Sequence, residues 1–335
     1  MRQEKTYYRE IDALKGLAMF MVVLGHAIIL YPVNLHEDPG SHWLFNFVSS
    51  VHVLLFFLLS GLLFSYHGNY GSYLRKKVMR IGIPYVVFNL IDMVPRALLA
   101  SFFNRPRSIS ESLLSMLLNG GELWFLRALF LFYVIFVPLA LLQDKGLKWK
   151  AAVETALFLL AVIPIPNSYR VEYLDLDRIR QCLFFFNTGY LLKGSYPSIR
   201  KRIEQTKPGV IFTLAAVLTA LWIALLSLKS LRAVPYTVLR VVVALVAVAD
   251  CFLFTAWKPF NDLFGRFGPW TLQIYLLNSW TMGVSRYVIC NLMGATNPSV
   301  IILFNMFVDF GLSYLLIKYV LARIKPIRFV MGMPG

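Results

Sequence analysis

Apolar runs of about twenty residues recur from end to end of the chain, separated by short polar stretches. A helix rises about 1.5 Å per residue, so a run of that length crosses a hydrocarbon core about 30 Å thick. The pattern predicts ten spans, at roughly 12–31, 43–66, 81–103, 123–142, 149–165, 179–193, 208–228, 234–257, 270–290 and 298–322. The expected fold class is therefore all-α, a polytopic membrane bundle of about ten transmembrane helices forming one domain over residues 1–335. The first run is too long for a signal peptide, carries Asp12 and Lys15 at its start and lacks a small-residue cleavage site, so it is expected to remain as a span. No internal repeat is visible, which weakens a transporter built from inverted halves.

Composition agrees with this class. Only 15% of the residues are charged and 58% are hydrophobic, whereas a soluble domain is about a quarter charged. The net charge of +16 would suit a nucleic-acid binder, but its distribution points elsewhere. Basic residues crowd the N-terminus (Arg2, Lys5, Arg9) and the even loops, with Arg75, Lys76, Lys77 and Arg80 in the second and Arg200, Lys201, Arg202 and Lys207 in the sixth. They recur after the last span at Arg323, Lys325 and Arg328. The first and ninth loops hold none. By the positive-inside rule both termini are expected in the cytoplasm and no nucleic-acid partner is expected. The polar loops HEDPGSH (36–42) and NSYRVEYLDLDR (167–178) then face outward, where a solvated loop is the commoner role and contact with a hydroxyl-rich ligand the alternative. Cys182, Cys251 and Cys290 lie far apart in or beside apolar runs, so they read as small apolar fillers and no metal site is expected.

Ionisable residues inside the spans change the picture, because such groups are costly in lipid and mark function. On the first span Asp12, Lys15 and His26 fall within roughly 80° of one another. Lys15 and His26 are separated by about 16 Å along the axis, half the hydrocarbon thickness. A lone His that merely bonds a neighbouring helix is the plain alternative for His26. His52, on the antiparallel second span, comes to a similar depth. Ser60-Gly61 below it reads as a close-packing device. Lys77 and Arg80 share a helix face, with Arg75 and Lys76 beside them. That cluster has three readings: topology, anionic lipid headgroups, or the phosphates of a soluble cosubstrate. Arg127 lies one turn below Trp124, where snorkelling is its plain role. Asn278 and Arg286 lie in the ninth span, and Asp92, Asp250 and Asp309 in others.

The ordered segments EIDALKGLAMFMVVLGHA, VHVLLFFLLSG, RKKVMRIGIPY, LWFLRALF, FFFNTGYLL and GPWTLQIYLL, from residue 10 to residue 277, resemble the acyltransferase-3 family of integral membrane acyltransferases, most closely its fucose-4-O-acetylase-like branch. The resemblance implies a ten-helix core in a bacterial cytoplasmic (inner) membrane. It implies transfer of an acyl group other than an amino-acyl group, usually acetyl, from cytoplasmic acetyl-CoA to a sugar hydroxyl of a surface polysaccharide or its lipid-linked precursor. It implies that His26 is the catalytic histidine and that Lys15 and the Lys77/Arg80 pair handle the donor. The sequence departs from the family at Lys15, where an Arg is common, and at Asn278, where a second His is common.

The residues by themselves support the same chemistry. Transfer to a hydroxyl needs a base, and an imidazole with an ordinary pKa near 6.5 is suited to it. The oxyanion needs donors, for which His52, Ser60, Asn278 and Arg127 are candidates. The expected site is thus His26, His52 and Asp12 for catalysis, Lys15, Arg75, Lys77 and Arg80 for acetyl-CoA, and Arg127, Asn278 and Arg286 for the glycan or glycolipid acceptor, within membrane lipid. The competing expectation is a transporter or flippase of a lipid-linked or small solute, motivated by the three intramembrane aspartates.

Overall fold

The computed structural model describes residues 8–29, 35–66, 68–98, 107–163, 176–230 and 236–333, and every regular element among them is helical. The fifth loop from 167 to 175 and the expected span ends at 30–31, 99–103, 164–165 and 234–235 lie outside the described residues.

The first span is α1 (Arg9–Ile29). The second is not one helix but two, α2 (Pro39–Ser49) and α3 (His52–Leu62). Asp38 starts α2 by accepting the Ser41 N–H at 2.8 Å, with Pro39 in the first turn. The break follows from a cluster of polar side chains. Ser49 bonds the Asn46 carbonyl (3.3 Å), Ser50 that of Phe47 (2.7 Å) and His52 Nδ1 that of Val48 (2.6 Å). Side chains that take carbonyls of the last turn compete with the main-chain ladder, and the helix ends there.

The third span is longer than expected. α4 (Tyr70–Lys77) runs through a π-helical turn at Val78–Gly82 into α5 (Ile83–Leu98). The basic cluster is therefore the first turns of the span itself rather than a separate surface segment. α6 (Ile109–Leu118), closed by a Ser108–Glu111 capping box, fills the third loop. Both Ser108 bonds hold the exposed Glu111 carboxyl below its ordinary range. α7 (Trp124–Gln143), α8 (Leu147–Val162) and α9 (Leu176–Leu192) follow. Next come α10 (Tyr196–Gln205), α11 (Pro208–Ser230), α12 (Tyr236–Phe254) and the short α13 (Lys258–Phe264). α14 (Thr271–Arg286) continues as a π-helical turn, Tyr287–Leu292. α15 (Pro298–Met306) joins α16 (Ser313–Tyr319) through another, Phe307–Leu312, before α17 (Lys325–Val330).

Among the described residues, seven helical stretches are long and apolar enough to cross a membrane: 9–29, 39–62, 70–95, 109–143, 208–228, 237–254 and 298–323. The other three expected spans are α8, α9 and α14, of 16, 17 and 16 residues.

α1 lies at the centre. Its apolar window is 72% buried, against 17% for α11, whose exposed Phe212, Val217 and Leu221 form an outer wall. Ile11, Leu14, Ala18 and Met21 of α1 join one apolar cluster with α3, α7, α9 and α12. Met19, Val22, Val23, Ala27 and Ile28 join a second with α14 and α15. One helix thus forms the seam between two half-bundles. Within the first half, α3 crosses α9 almost backbone to backbone. A Cβ on Gly61 would fall 1.8 Å from the Phe186 carbonyl oxygen, and one on Gly189 1.9 Å from that of Leu58. The Ser60-Gly61 pair is the packing device its composition indicated. Cys182 and Cys251 are buried filler in this core.

Candidate active site

The stripe on α1 begins at a charged end. Arg9 pairs with Asp262 (2.7 Å), and Glu10 takes Arg200 (2.9 Å) and the Tyr196 hydroxyl (3.2 Å). Burial and the Glu10 charge together push the Tyr196 hydroxyl well above its ordinary pKa. Asp12 and Lys15 form an ion pair of 3.2 Å. Asp12, expected with the catalytic group, stands fourteen residues and about 21 Å along the helix from His26. It balances Lys15 and does not join the imidazole.

His26 keeps part of its surface accessible although fourteen residues of α1 are buried. Its Nδ1 meets the Asn278 side-chain oxygen on α14. Asn278 is 1% exposed, and its Nδ2 has no hydrogen-bond partner among the described residues. With Nδ1–H donated to the amide oxygen, the free lone pair of His26 is on Nε2. The Asn thus fixes the tautomer and aims the ring, while its own N–H₂ is left as a buried donor.

His52 lies within electrostatic reach of His26. Its Nδ1 is committed to the Val48 carbonyl, so it too presents Nε2. The break between α2 and α3 is what holds it so. Glu122, in the short turn Gly121–Leu123 before α7, is within electrostatic reach of His26 and pairs with Arg107 at 3.6 Å. The Glu122 carbonyl accepts the Tyr275 hydroxyl at 3.3 Å. Tyr275 is three residues before Asn278, on the same side of α14. Its ring packs on Phe125, which touches Phe56, one turn beyond His52. Three elements therefore converge on His26: α14, α3 and the turn that leads into α7.

Arg127 and Arg286, expected at the acceptor, do other work. Arg127 donates to the Leu118 carbonyl and so caps the end of α6. Arg286 is fully buried, and its Nη2 bonds the carbonyl of Ala27 at 2.6 Å, next to His26. Asp309, also fully buried, faces this guanidinium and receives the Ser285 hydroxyl at 3.4 Å, which bonds Asn305 at 2.6 Å. Arg286 therefore supports the His26 turn from behind and offers no surface to a ligand. Asp250, like Asp309, is bonded within the bundle, to Thr219 at 2.7 Å.

At the basic cluster Arg75 and Arg80 are exposed. Lys77 stands 3.3 Å from the ring centroid of Tyr133 and 5.4 Å from that of Tyr73. Tyr133 also bonds Ser60 and feels the charge of Arg80. It links the basic rim to α3. Sequence reasoning passed over Tyr133 and Glu122. Each sits in an apolar or loop segment whose neighbours only the packing reveals. A carboxylate just before the expected span 123–142 and a tyrosine near its middle were the available signal.

A family model described as an acyltransferase domain matches residues 8–318, which include every candidate residue above. No curated protein and no solved structure matches the chain. A match of that extent, on a chain whose described residues form only helices, seven stretches of them able to span a membrane, makes this a multi-pass membrane enzyme that transfers acyl groups. The chain belongs to the acyltransferase-3 family.

Proposed function

We propose that the chain is an O-acetyltransferase of the bacterial cytoplasmic membrane. It moves an acetyl group from cytoplasmic acetyl-CoA to a sugar hydroxyl of a cell-surface polysaccharide or its lipid-linked precursor. The observation that carries this reading is the His26–Asn278 pair, an imidazole aimed by a buried amide and still accessible deep within the bundle.

In this mechanism His26 Nε2 takes the proton of the acceptor hydroxyl as its oxygen attacks the thioester carbonyl. Asn278 holds the ring through Nδ1–H and steadies the imidazolium. The tetrahedral oxyanion needs a donor, and in this reading the unpartnered Asn278 Nδ2 supplies it. When the C–S bond breaks, the thiolate recovers the proton from His26, and no net proton is released. Lys77 and Arg80 receive the donor phosphates, Arg80 by its bidentate fork and Lys77 as a point charge lodged on Tyr133. Apolar walls from α1, α3 and α7 exclude water from the thioester. Family membership favours acyl transfer over transport, and two of the aspartates behind the transport reading are bonded inside the bundle.

The test is a glycan mass profile from cells with wild-type or His26→Ala protein at equal membrane levels. Wild type adds acetyl mass to a surface glycan, and the variant loses that signal by about 10²–10⁴-fold. Equal acetylation by the variant would remove His26 from the chemistry.

A further inference from the structure

The chain after α16 returns to the bundle. Leu321 leads through an extended Ile324 into α17, which Gly332 ends at φ +65°. The Met333 N–H bonds the Arg328 carbonyl (2.9 Å) and the Gly332 N–H that of Phe329 (3.1 Å). These two bonds make a Schellman motif, with glycine at its left-handed position. The motif turns the chain inward, so that Met331 is 1% exposed, and Ile327, Val330 and Met333 pack on the core.

This segment touches two parts of the proposed site. The Met331 carbonyl accepts a bond from buried Gln273 Nε2 at 3.0 Å. Gln273 lies in the first turn of α14, five residues before Asn278. On the other side Gly332 lies against the backbone of Arg80. A Cβ at 332 would fall 2.4 Å from the Arg80 carbonyl oxygen and 3.0 Å from the Pro84 ring. Glycine is thus required twice at 332, for its φ and for this approach. Arg80 itself belongs to the π-helical turn 78–82. Wide turns of that kind interrupt the regular ladder and recur at functional sites. Here the turn is braced from outside by Gly332, while Met331 ties the same segment to α14. The same segment seats α17 beside α5, the helix that continues from this turn. The family model stops at residue 318, so the brace is no part of that match.

We propose that segment 325–333 is a positioning element of the donor site: by holding the turn that carries Arg80, it sets the affinity for the phosphorylated acyl donor. The inference rests on the reading of Lys77 and Arg80 as the phosphate-binding rim. Gly332 and Met331 act through Arg80 and touch no reacting atom, so their loss falls on donor affinity rather than on the chemical step.

The test uses the full chain with Gly332→Ala, Met331→Ala, Arg80→Ala and the double variant Arg80→Ala/Gly332→Ala, each checked for a monodisperse peak in detergent. Met331→Ala trims a buried side chain without a backbone clash and covers the case in which Gly332→Ala fails to fold. Acetyl-CoA and acceptor are titrated separately in the transfer assay, and binding of free CoA is measured directly. Gly332→Ala and Met331→Ala are expected to raise the acetyl-CoA KM and the CoA Kd about tenfold, with the acceptor KM unmoved. The double variant is expected to be no worse than Arg80→Ala alone, because both changes remove the same interaction. Additive losses, or a fall in kcat at unchanged donor KM, would overturn the inference. If Arg80→Ala weakens the donor and both segment variants match wild type, the inference fails and the proposed function stands. If wild type neither binds CoA nor draws acetyl from it, both fall.

Discussion

At the scale of single residues, the proposed mechanism turns on how His26 is aimed. An imidazole free to rotate presents either nitrogen. One whose Nδ1–H is held by Asn278 presents Nε2 only. Asn278→Ala removes the acceptor and leaves the ring unaimed, and the loss is expected in kcat, about 10–100-fold, with both KM values little changed. Asn278→Asp offers an acceptor oxygen at the same place and is expected to recover part of that loss. Steady-state kinetics of the two variants against both substrates decide it. Equal loss in both, or a change confined to acceptor KM, would make Asn278 a substrate contact instead. His26 was legible because an ionisable group in an apolar helix stands out. Its partner was not. Asn278 lies 252 positions away, and helical periodicity says which face a residue is on without saying which helix that face meets. Arg286 shows the same limit from the other side. Its charge was visible, but the buried carbonyl of Ala27 that uses it was not.

At the scale of elements, the half-bundle that carries His52 depends on the α3–α9 crossing. Gly61 and Gly189 each sit against the partner's backbone, leaving no room for a methyl group on either helix. Gly189→Ala places its Cβ 1.9 Å from the Leu58 carbonyl oxygen and 2.9 Å from the Leu62 nitrogen, neither of which can move without its helix. The helices must separate, and overpacking of this kind costs about 1–3 kcal/mol. The midpoint of thermal aggregation in detergent is expected to drop for Gly189→Ala and for Gly61→Ala. For the pair, the combined drop should be less than the sum, since the first substitution already opens the crossing. A fully additive drop would mean that the two glycines serve separate contacts. Gly61 was legible as a packing residue from its Ser-Gly context; its mate in FFFNTGYLL was not. The break at Ser50–Val51 was equally hidden, because residues 43–66 read as one mostly apolar run and only the side-chain bonds to the carbonyls of Asn46, Phe47 and Val48 explain it. The π-helical turns tell a related story. They lie at 78–82, 287–292 and 307–312, and they carry or adjoin Arg80, Arg286 and Asp309. A wider turn redirects a charged side chain within an otherwise regular helix, and no residue pattern announces it.

At the scale of the molecule, the bundle has an inside and an outside as well as two ends. The placing of α1 at the seam and α11 at the wall follows from burial, not from apolarity, since α11 has the higher mean hydropathy, 2.4 against 1.6. Lipid-facing helices need no polar partner, whereas a helix carrying Asp12, Lys15 and His26 needs protein around it. The two ends are set by charge. If the basic loops face the cytosol, Lys77 and Arg80 meet a soluble anionic donor there, and the first and ninth loops face the acceptor. Single cysteines report this directly, because the native Cys182 and Cys251 are buried and Cys290→Ala removes the remaining thiol. Gly40→Cys and Thr296→Cys, both at exposed positions of the first and ninth loops, are expected to react with a membrane-impermeant maleimide on intact cells. Lys145→Cys and Ser195→Cys, exposed in the fourth and sixth loops, are expected to react only after permeabilisation. The reverse pattern would put the basic rim on the side without CoA, and the donor route through Arg80 would fail even if His26 kept its role. Labelling at all four positions from outside would instead deny the alternation itself, and with it the three crossings expected between residues 40 and 145, made by the stretches 39–62, 70–95 and 109–143.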